Sequence, residues 1–238
     1  MNDVPYEGLA DEVLFRPVRN GNAFEDTVAR LLQTIRLGVV APGEALPAER
    51  DLATRFSVSR DTVREAIRSL SDAGYLIARR GRYGGTFVSE TLPAPDAVPP
   101  DADEIEDVLV LREILEMGAA RAAAGRELGA AERDLLWTRL GETVAASIED
   151  YRRLDSRLHL TIGELVGAPS LVSLLADNRT RVNALLDGIP LLARNLEHSN
   201  QQHEAIVVAI LTGNPERAEE AMSEHLAGSA ALLRAFLS

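Results

Sequence analysis

Between Thr91 and Asp103 the chain reads TLPAPDAVPPDAD, with four prolines, three aspartates and no apolar periodicity. Proline lacks a backbone donor and biases the residue before it away from the helical region, so neither a helix nor a central strand runs through this stretch. It reads as a linker. The linker divides 238 residues into two parts, each long enough to bury a core of its own. The expected organisation is a domain over 1–90, a linker over 91–102 and a second domain over 103–238.

Charge divides at the same place. The whole chain carries −12, which taken alone argues against a nucleic-acid or anionic-membrane partner. Residues 1–90, however, hold 12 arginines against 13 acids, and the remainder holds 13 against 24. Between Pro47 and Val88 the balance turns basic, with 8 arginines against 5 acids. An acidic protein thus contains a locally basic module suited to DNA. Alanine and leucine dominate the apolar fraction and aromatics are 4%, which favours helix bundles over sandwiches. With no cysteine, disulfides and thiolate ligands are excluded. No apolar run reaches the ~20 residues of a membrane span, and Met1 to Asn20 lacks the pattern of a signal peptide. The expectation is a cytoplasmic protein with no membrane partner.

In the first part, Val28, Leu31, Leu32 and Ile35 mark one apolar helix face, closed by Gly38 and APGEALP. A short helix follows over about 49–56. A third begins after Ser59, a good N-cap, and carries Val63, Ala66, Ile67 and Leu70 at i, i+3, i+4 and i+7 until Gly74. YLIARR and TFVSE then read as two strands joined by the glycine-rich tip GRYGG. Three helices and a two-stranded wing make a winged helix-turn-helix. The second helix of such a motif enters the major groove, and its first turn here is SRDTVRE. Arg60 and Arg64 lie one turn apart on its outer face, and their planar forks suit guanine edges or phosphates. Ser59 and Thr62 offer hydroxyls to phosphates, Arg50 stands at the start of the preceding helix, and Arg82 with Gly81 to Gly85 brings backbone toward the minor groove. Each arginine alone is better explained by a solvated face held by Asp61, Glu65 and Asp72; the ordered set is not.

The segment LPAERDLATRFSVSRDTVREAIRSLSDAGYLIARRGRYGGTFV resembles the N-terminal domain of the GntR family of bacterial transcription regulators. That resemblance implies DNA contacts from Arg50, Arg60 and Arg64, assisted by Thr62 and Gly85. Ala48 departs from it, since many members have a capping serine there.

After the linker the pattern is helical throughout: roughly 103–125, 130–147, 149–166, 170–188, 195–212 and 215–236, predicting an antiparallel bundle of six or seven helices. Asp103 with Glu106 has the capping-box pattern, and Asn214 before Pro215 gives a cap followed by proline at the first helical position. Asp155 and His159 are i and i+4 and therefore neighbours on one face. His203 shares a face with Ile206, Val207 and Ile210, and His225 shares one with Met222. A single inward histidine is ordinarily a core residue with one hydrogen bond. Three of them with a carboxylate, in a chain of four histidines, form a donor set suited to zinc, nickel, manganese or iron. The series DSRLH…HEAI…AMSEHL is similar to the metal-binding version of the FCD ligand domain of the FadR branch of GntR regulators. That similarity implies metal ligands Asp155, His159, His203 and His225, with zinc foremost, and a small carboxylate effector completing the coordination. Leu158 and VGAPS depart from it, where many relatives have phenylalanine and an SGN turn.

Two inward polar residues are candidates for the effector. Arg112 interrupts the apolar seam Ile105, Val108, Leu115, Ala119 and needs an anionic partner, either an effector carboxylate or Glu116 or another acid. Asn178 interrupts the seam Leu171, Leu174, Val182, Leu185. His198 is expected at a polar helix start, apart from the site. The leading expectation is a homodimeric, non-enzymatic regulator, a repressor, on a pseudo-palindromic operator, responding to a small organic acid. A metal-dependent enzyme anchored to DNA and a metal-free acyl-ligand sensor are the alternatives. No general base stands beside the histidines to favour the enzyme.

Overall fold

A computed structural model describes residues 23–79, 84–93, 101–189 and 193–237. The chain divides between Ala94 and Pro95 into two compact units.

In the first unit α1 (Ala23–Arg36), α2 (Glu49–Phe56) and α3 (Arg60–Asp72) precede strands β1 (Leu76–Arg79) and β2 (Gly85–Val88). Local chemistry sets their ends. The Ser59 hydroxyl accepts the Thr62 N–H at 3.0 Å, capping α3, whereas Ala48 offers α2 no side-chain cap. Ser57, at φ 57, closes α2 so that only Ser57 to Ser59 separate the two helices. Gly74, at φ 83, ends α3 in a left-handed conformation that costs glycine little. Leu31, Ile35, Leu52, Phe56, Val63, Ala66, Ile67 and Leu70 are buried, the last four being the predicted inner face of α3. β1 and β2 pair antiparallel, Leu76 opposite Val88 and Arg79 opposite Gly85. The APGEALP segment does more than close α1: Gly43, Glu44 and Leu46 hydrogen-bond to Val88 and Thr86 along the other edge of β2. The tip of the wing, with Gly81 and Arg82, lies outside the described residues, as do residues 1–22.

The second unit contains α4 (Ala102–Ala124), α5 (Ala130–Val144), α6 (Ile148–Leu165), α7 (Pro169–Asp187), α8 (Ala193–Leu211) and α9 (Pro215–Leu237). α4 is central, packing on α6, α7, α8 and α9, while α5 packs on α6 and α8. The start of α4 corrects the predicted capping box. Asp101 is the cap, accepting the Glu104 N–H at 2.7 Å. The helix can begin directly after the last proline, and Glu106 instead accepts from Arg234 on α9 at 2.6 Å. At α9 the prediction holds, with Asn214 Oδ1 accepting the Arg217 N–H at 3.0 Å.

One end of the bundle is an apolar cluster of Ile105, Val108, Leu109, Val182, Leu185, Ile189, Ala230 and Leu233. The buried face of α7 is rotated from the predicted seam: Leu174 is exposed, while Val172, Leu175, Arg179 and Val182 are buried. Gly163 makes the α6–α7 approach possible, because a Cβ built there would stand 2.3 Å from Leu175 Cδ1. No helix of the described residues is long and apolar enough to cross a membrane.

Candidate functional site

Four side chains from three helices converge in the interior of the second unit. α6 supplies Asp155 and His159, α8 His203 and α9 His225, and all four are buried. His203 Nε2 lies 3.3 Å from His159 Nε2, 3.3 Å from His225 Nε2 and 3.2 Å from Asp155 Oδ1. His159 Nε2 is 3.6 Å from the same oxygen. One ligand atom from each of the four residues falls within 4.8 Å of all the others.

The donor chemistry of this cluster fits a divalent cation. Gln202 Oε1 stands 3.3 Å from His225 Nδ1, and Glu116 Oε2 stands 2.6 Å from His159 Nδ1. An acceptor at Nδ1 favours the tautomer protonated there, which leaves the Nε2 lone pair free. That tautomer at His159 and His225 turns their Nε2 lone pairs toward His203 Nε2, a convergence of ligand atoms that a cation can occupy. A four-coordinate ion with bonds of about 2.1 Å has ligand–ligand edges of ~3.4 Å; four of the separations are 3.2–3.6 Å, and all four ligand atoms lie within 4.8 Å of one another.

Electrostatics prepares the ligands. Burial pushes His203 and His225 below the ordinary imidazole range, His225 well below it with help from the neighbouring imidazoles. Burial also opposes the charged form of His159, but the Glu116 and Asp155 carboxylates together outweigh it and hold this ring above the ordinary value. For Asp155 and Glu116, burial works against ionisation and is overcome, at Asp155 by Arg179 and His159, at Glu116 by His159, Arg112 and Arg179. Both carboxyls lie well below the usual range. Two buried carboxylates thus face two buried guanidiniums, a formally neutral set before any cation is added.

Beside the cluster lies a cavity of about 250 Å³. Asp155 and His225 form part of its wall, with Arg112, Tyr151, Ser199 and Gln202 as further polar groups and Leu186, Ile189, Leu196 and Leu232 as apolar ones. Arg112 reaches it while donating to Glu116 at 3.2 Å and to Ser229 at 2.8 Å, so the acid on its own helix is a partner. Asn178 is not on the cavity wall; its amide donates to the Val108 carbonyl at 3.1 Å and ties α7 to α4. His198, expected apart from the site, lines the cavity. Sequence reasoning missed Arg179, which is fully buried and pairs with Asp155 Oδ2 and, at 3.4 Å, with Glu116. Its signal was the spacing Val172, Leu175, Arg179, Val182, a stripe masked by the neighbouring leucines.

In the first unit the residues expected to meet DNA are on the surface. Arg60, Arg64 and Arg50 are exposed, the Arg50 side chain 79% so. Arg64 bridges Glu49 of α2 and Asp61 of α3, each at 3.2 Å. Thr62 is half-buried, its hydroxyl 2.8 Å from that of Ser59, and Gly85 is exposed at the start of β2. The outer face of the second helix of the motif therefore presents guanidiniums while its inner face is wholly apolar.

Comparison with known proteins agrees with both halves. The family described as "Bacterial regulatory proteins, gntR family" matches residues 24–88, and the FCD domain matches 107–228. A protein of Escherichia coli K12 named as a regulator of the L-lactate dehydrogenase operon is 30% identical over 227 residues, covering 88% of this chain and 84% of that protein. The transcriptional repressor NanR of Salmonella arizonae is 29% identical over 235 residues, covering 93% and 88%. Among solved structures, E. coli McbR/YncC shares the fold with a TM-score of 0.55 at 17% identity, covering 90% of this chain and 97% of that one. The named relatives are transcription regulators, not enzymes. With a DNA-binding unit followed by an effector-binding FCD domain, this chain belongs to the gntR family of bacterial transcription regulators.

Proposed function

We propose that the protein is a homodimeric repressor whose FCD domain holds a divalent metal ion, zinc foremost, on Asp155, His159, His203 and His225 and binds a small organic acid beside it. The observation that carries this reading is the convergence of three imidazole Nε2 atoms and one carboxylate oxygen beside a cavity whose wall includes Asp155, His225 and Arg112. The ion would supply positive charge and open coordination positions for an effector carboxylate. Arg112 meets that carboxylate from the protein side, and the apolar wall limits the rest of the molecule to a short carbon skeleton. Asn178, committed to the Val108 carbonyl, has no part in it. The NanR repressor supports repression as output, and the relative named for an L-lactate dehydrogenase operon supports control of a metabolic operon.

On DNA, Arg60 and Arg64 address base edges or phosphates in the major groove, Arg50 and Thr62 the backbone, and Gly85 lets the wing approach closely. Two copies bind the two halves of a pseudo-palindromic operator, because one such domain buries too little surface for tight specific binding. Control requires that the effector bind one arrangement of the dimer better than the other.

Elemental analysis of purified wild type beside Asp155→Ala and His203→Ala tests the reading. The expected result is about one divalent ion per wild-type chain, lost from both variants. A wild type free of metal after incubation with zinc and nickel would refute the metal site, and no preference for any sequence in a selection from random DNA would refute the regulator.

A further inference from the structure

Glu116 is neither one of the four candidate ligands nor part of the cavity wall, yet it is 2% exposed and carries charge. Its two oxygens have different partners. Oε1 accepts from Arg112 Nε at 3.2 Å and from Arg179 Nη1 at 3.4 Å. Oε2 stands 2.6 Å from His159 Nδ1 as a close ion-pair contact, and neither of these two atoms makes a hydrogen bond among the described residues. A carboxylate pinned at one oxygen by two guanidiniums cannot rotate away without breaking both contacts. Its second oxygen is therefore held against the imidazole.

We propose that Glu116 and Arg179 are positioning residues that set the orientation and proton arrangement of the metal ligands, with Glu116 holding His159 and Arg179 holding Asp155. The inference rests on the metal reading above and names the residues that prepare the site. A carboxylate facing Nδ1 keeps the proton on that nitrogen, directs the Nε2 lone pair inward and raises the basicity of the ligand. His159 Nε2 is the atom turned toward His203 and Asp155. Arg179 completes the arrangement from the other side. One of its nitrogens grips Asp155 Oδ2, which leaves Oδ1 facing the imidazoles, and the other reaches Glu116. One buried guanidinium thus aligns a direct carboxylate ligand and the acid that steers a histidine ligand. Arg112, which binds Glu116 and lines the cavity, makes that acid the connection between the cavity and the ligand set.

The test uses the full chain and cobalt(II) alone, with uptake read from visible absorption. Glu116→Gln keeps the shape and removes the charge, and is expected to lower cobalt affinity about 10–100-fold while circular dichroism shows a folded chain. In a His159→Ala background the same change is expected to alter affinity less than about threefold, because its effect passes through His159. A general structural role would lower affinity equally in both backgrounds and overturn the proposal, as would a folded Glu116→Gln with wild-type affinity. If Glu116→Gln fails to fold, nitrogen-15 spectra of the metal-free wild type decide: His159 protonated at Nδ1 is expected, and protonation at Nε2 overturns the assignment. A wild type that takes up no cobalt instead fails the metal reading and takes this inference with it.

Discussion

The two units place their charged residues in opposite ways. In the DNA-binding unit the core is apolar and the arginines stand outside it, Arg64 in surface pairs with Glu49 and Asp61. In the FCD unit the centre of the bundle holds Arg112, Arg179, Glu116, Asp155 and three histidines. The difference fits the partners proposed for each unit. DNA presents phosphates and base edges to a surface, so its partners must be exposed; an ion and a small acid are bound strongly only where water is excluded and the donors are already oriented. The first unit is therefore expected to lose a proposed DNA-contacting side chain and keep its fold, whereas in the second the proposed ligands are part of the packed core.

The largest test of that contrast is stability. Asp155→Ala leaves Arg179 buried beside fewer negative charges, and about 3–5 kcal/mol of unfolding free energy should be lost, read by urea titration of the metal-free protein. Arg64→Ala breaks two surface pairs and should cost less than about 1 kcal/mol in the same titration. Equal losses would show that the buried network is not held together by charge. Metal removal comes next. A chelator should lower the thermal midpoint of the wild type, with up to about 2.7 kcal/mol at stake when free metal had stood at 100 times its dissociation constant. His203→Ala should not respond to the chelator. For DNA, Arg60→Ala should weaken binding to a selected operator by about 1–3 kcal/mol, measured at fixed salt, with the melting curve unmoved. An unchanged affinity would remove Arg60 from the interface. The smallest effects are at helix starts: Ser59→Ala should cost about 1 kcal/mol, and Ala48→Ser, adding the cap that α2 lacks, should stabilise by a similar amount.

Much of this architecture was legible because it is local. Ser59 caps α3, Gly74 ends it, and Asn214 with Pro215 opens α9, as the residue types require. The period of 3.6 aligned Asp155 with His159 and turned His203 and His225 inward before any helix was packed. Less legible was the start of α4, where two aspartates competed for the cap and the one nearest the last proline won. On α7, leucine is equally at ease on either side of a boundary stripe, so periodicity alone did not say whether Leu174 or Arg179 faced inward.

Local sequence was enough for most helix and strand ends, for the apolar faces of the helices other than α7, for a basic module before an acidic bundle, and for which residues have the chemistry of metal ligands. Packing was needed to show that Glu116 divides its oxygens between two guanidiniums and an imidazole, that Arg179 joins Asp155 to Glu116, and that His198 rather than Asn178 reaches the cavity. The reason is physical. Periodicity states which way a side chain points from its own helix, but a hydrogen bond depends on which residue of another helix lies opposite, and that is set by how close the helices approach. Gly163, against Leu175, is one place where the approach of α6 to α7 is set.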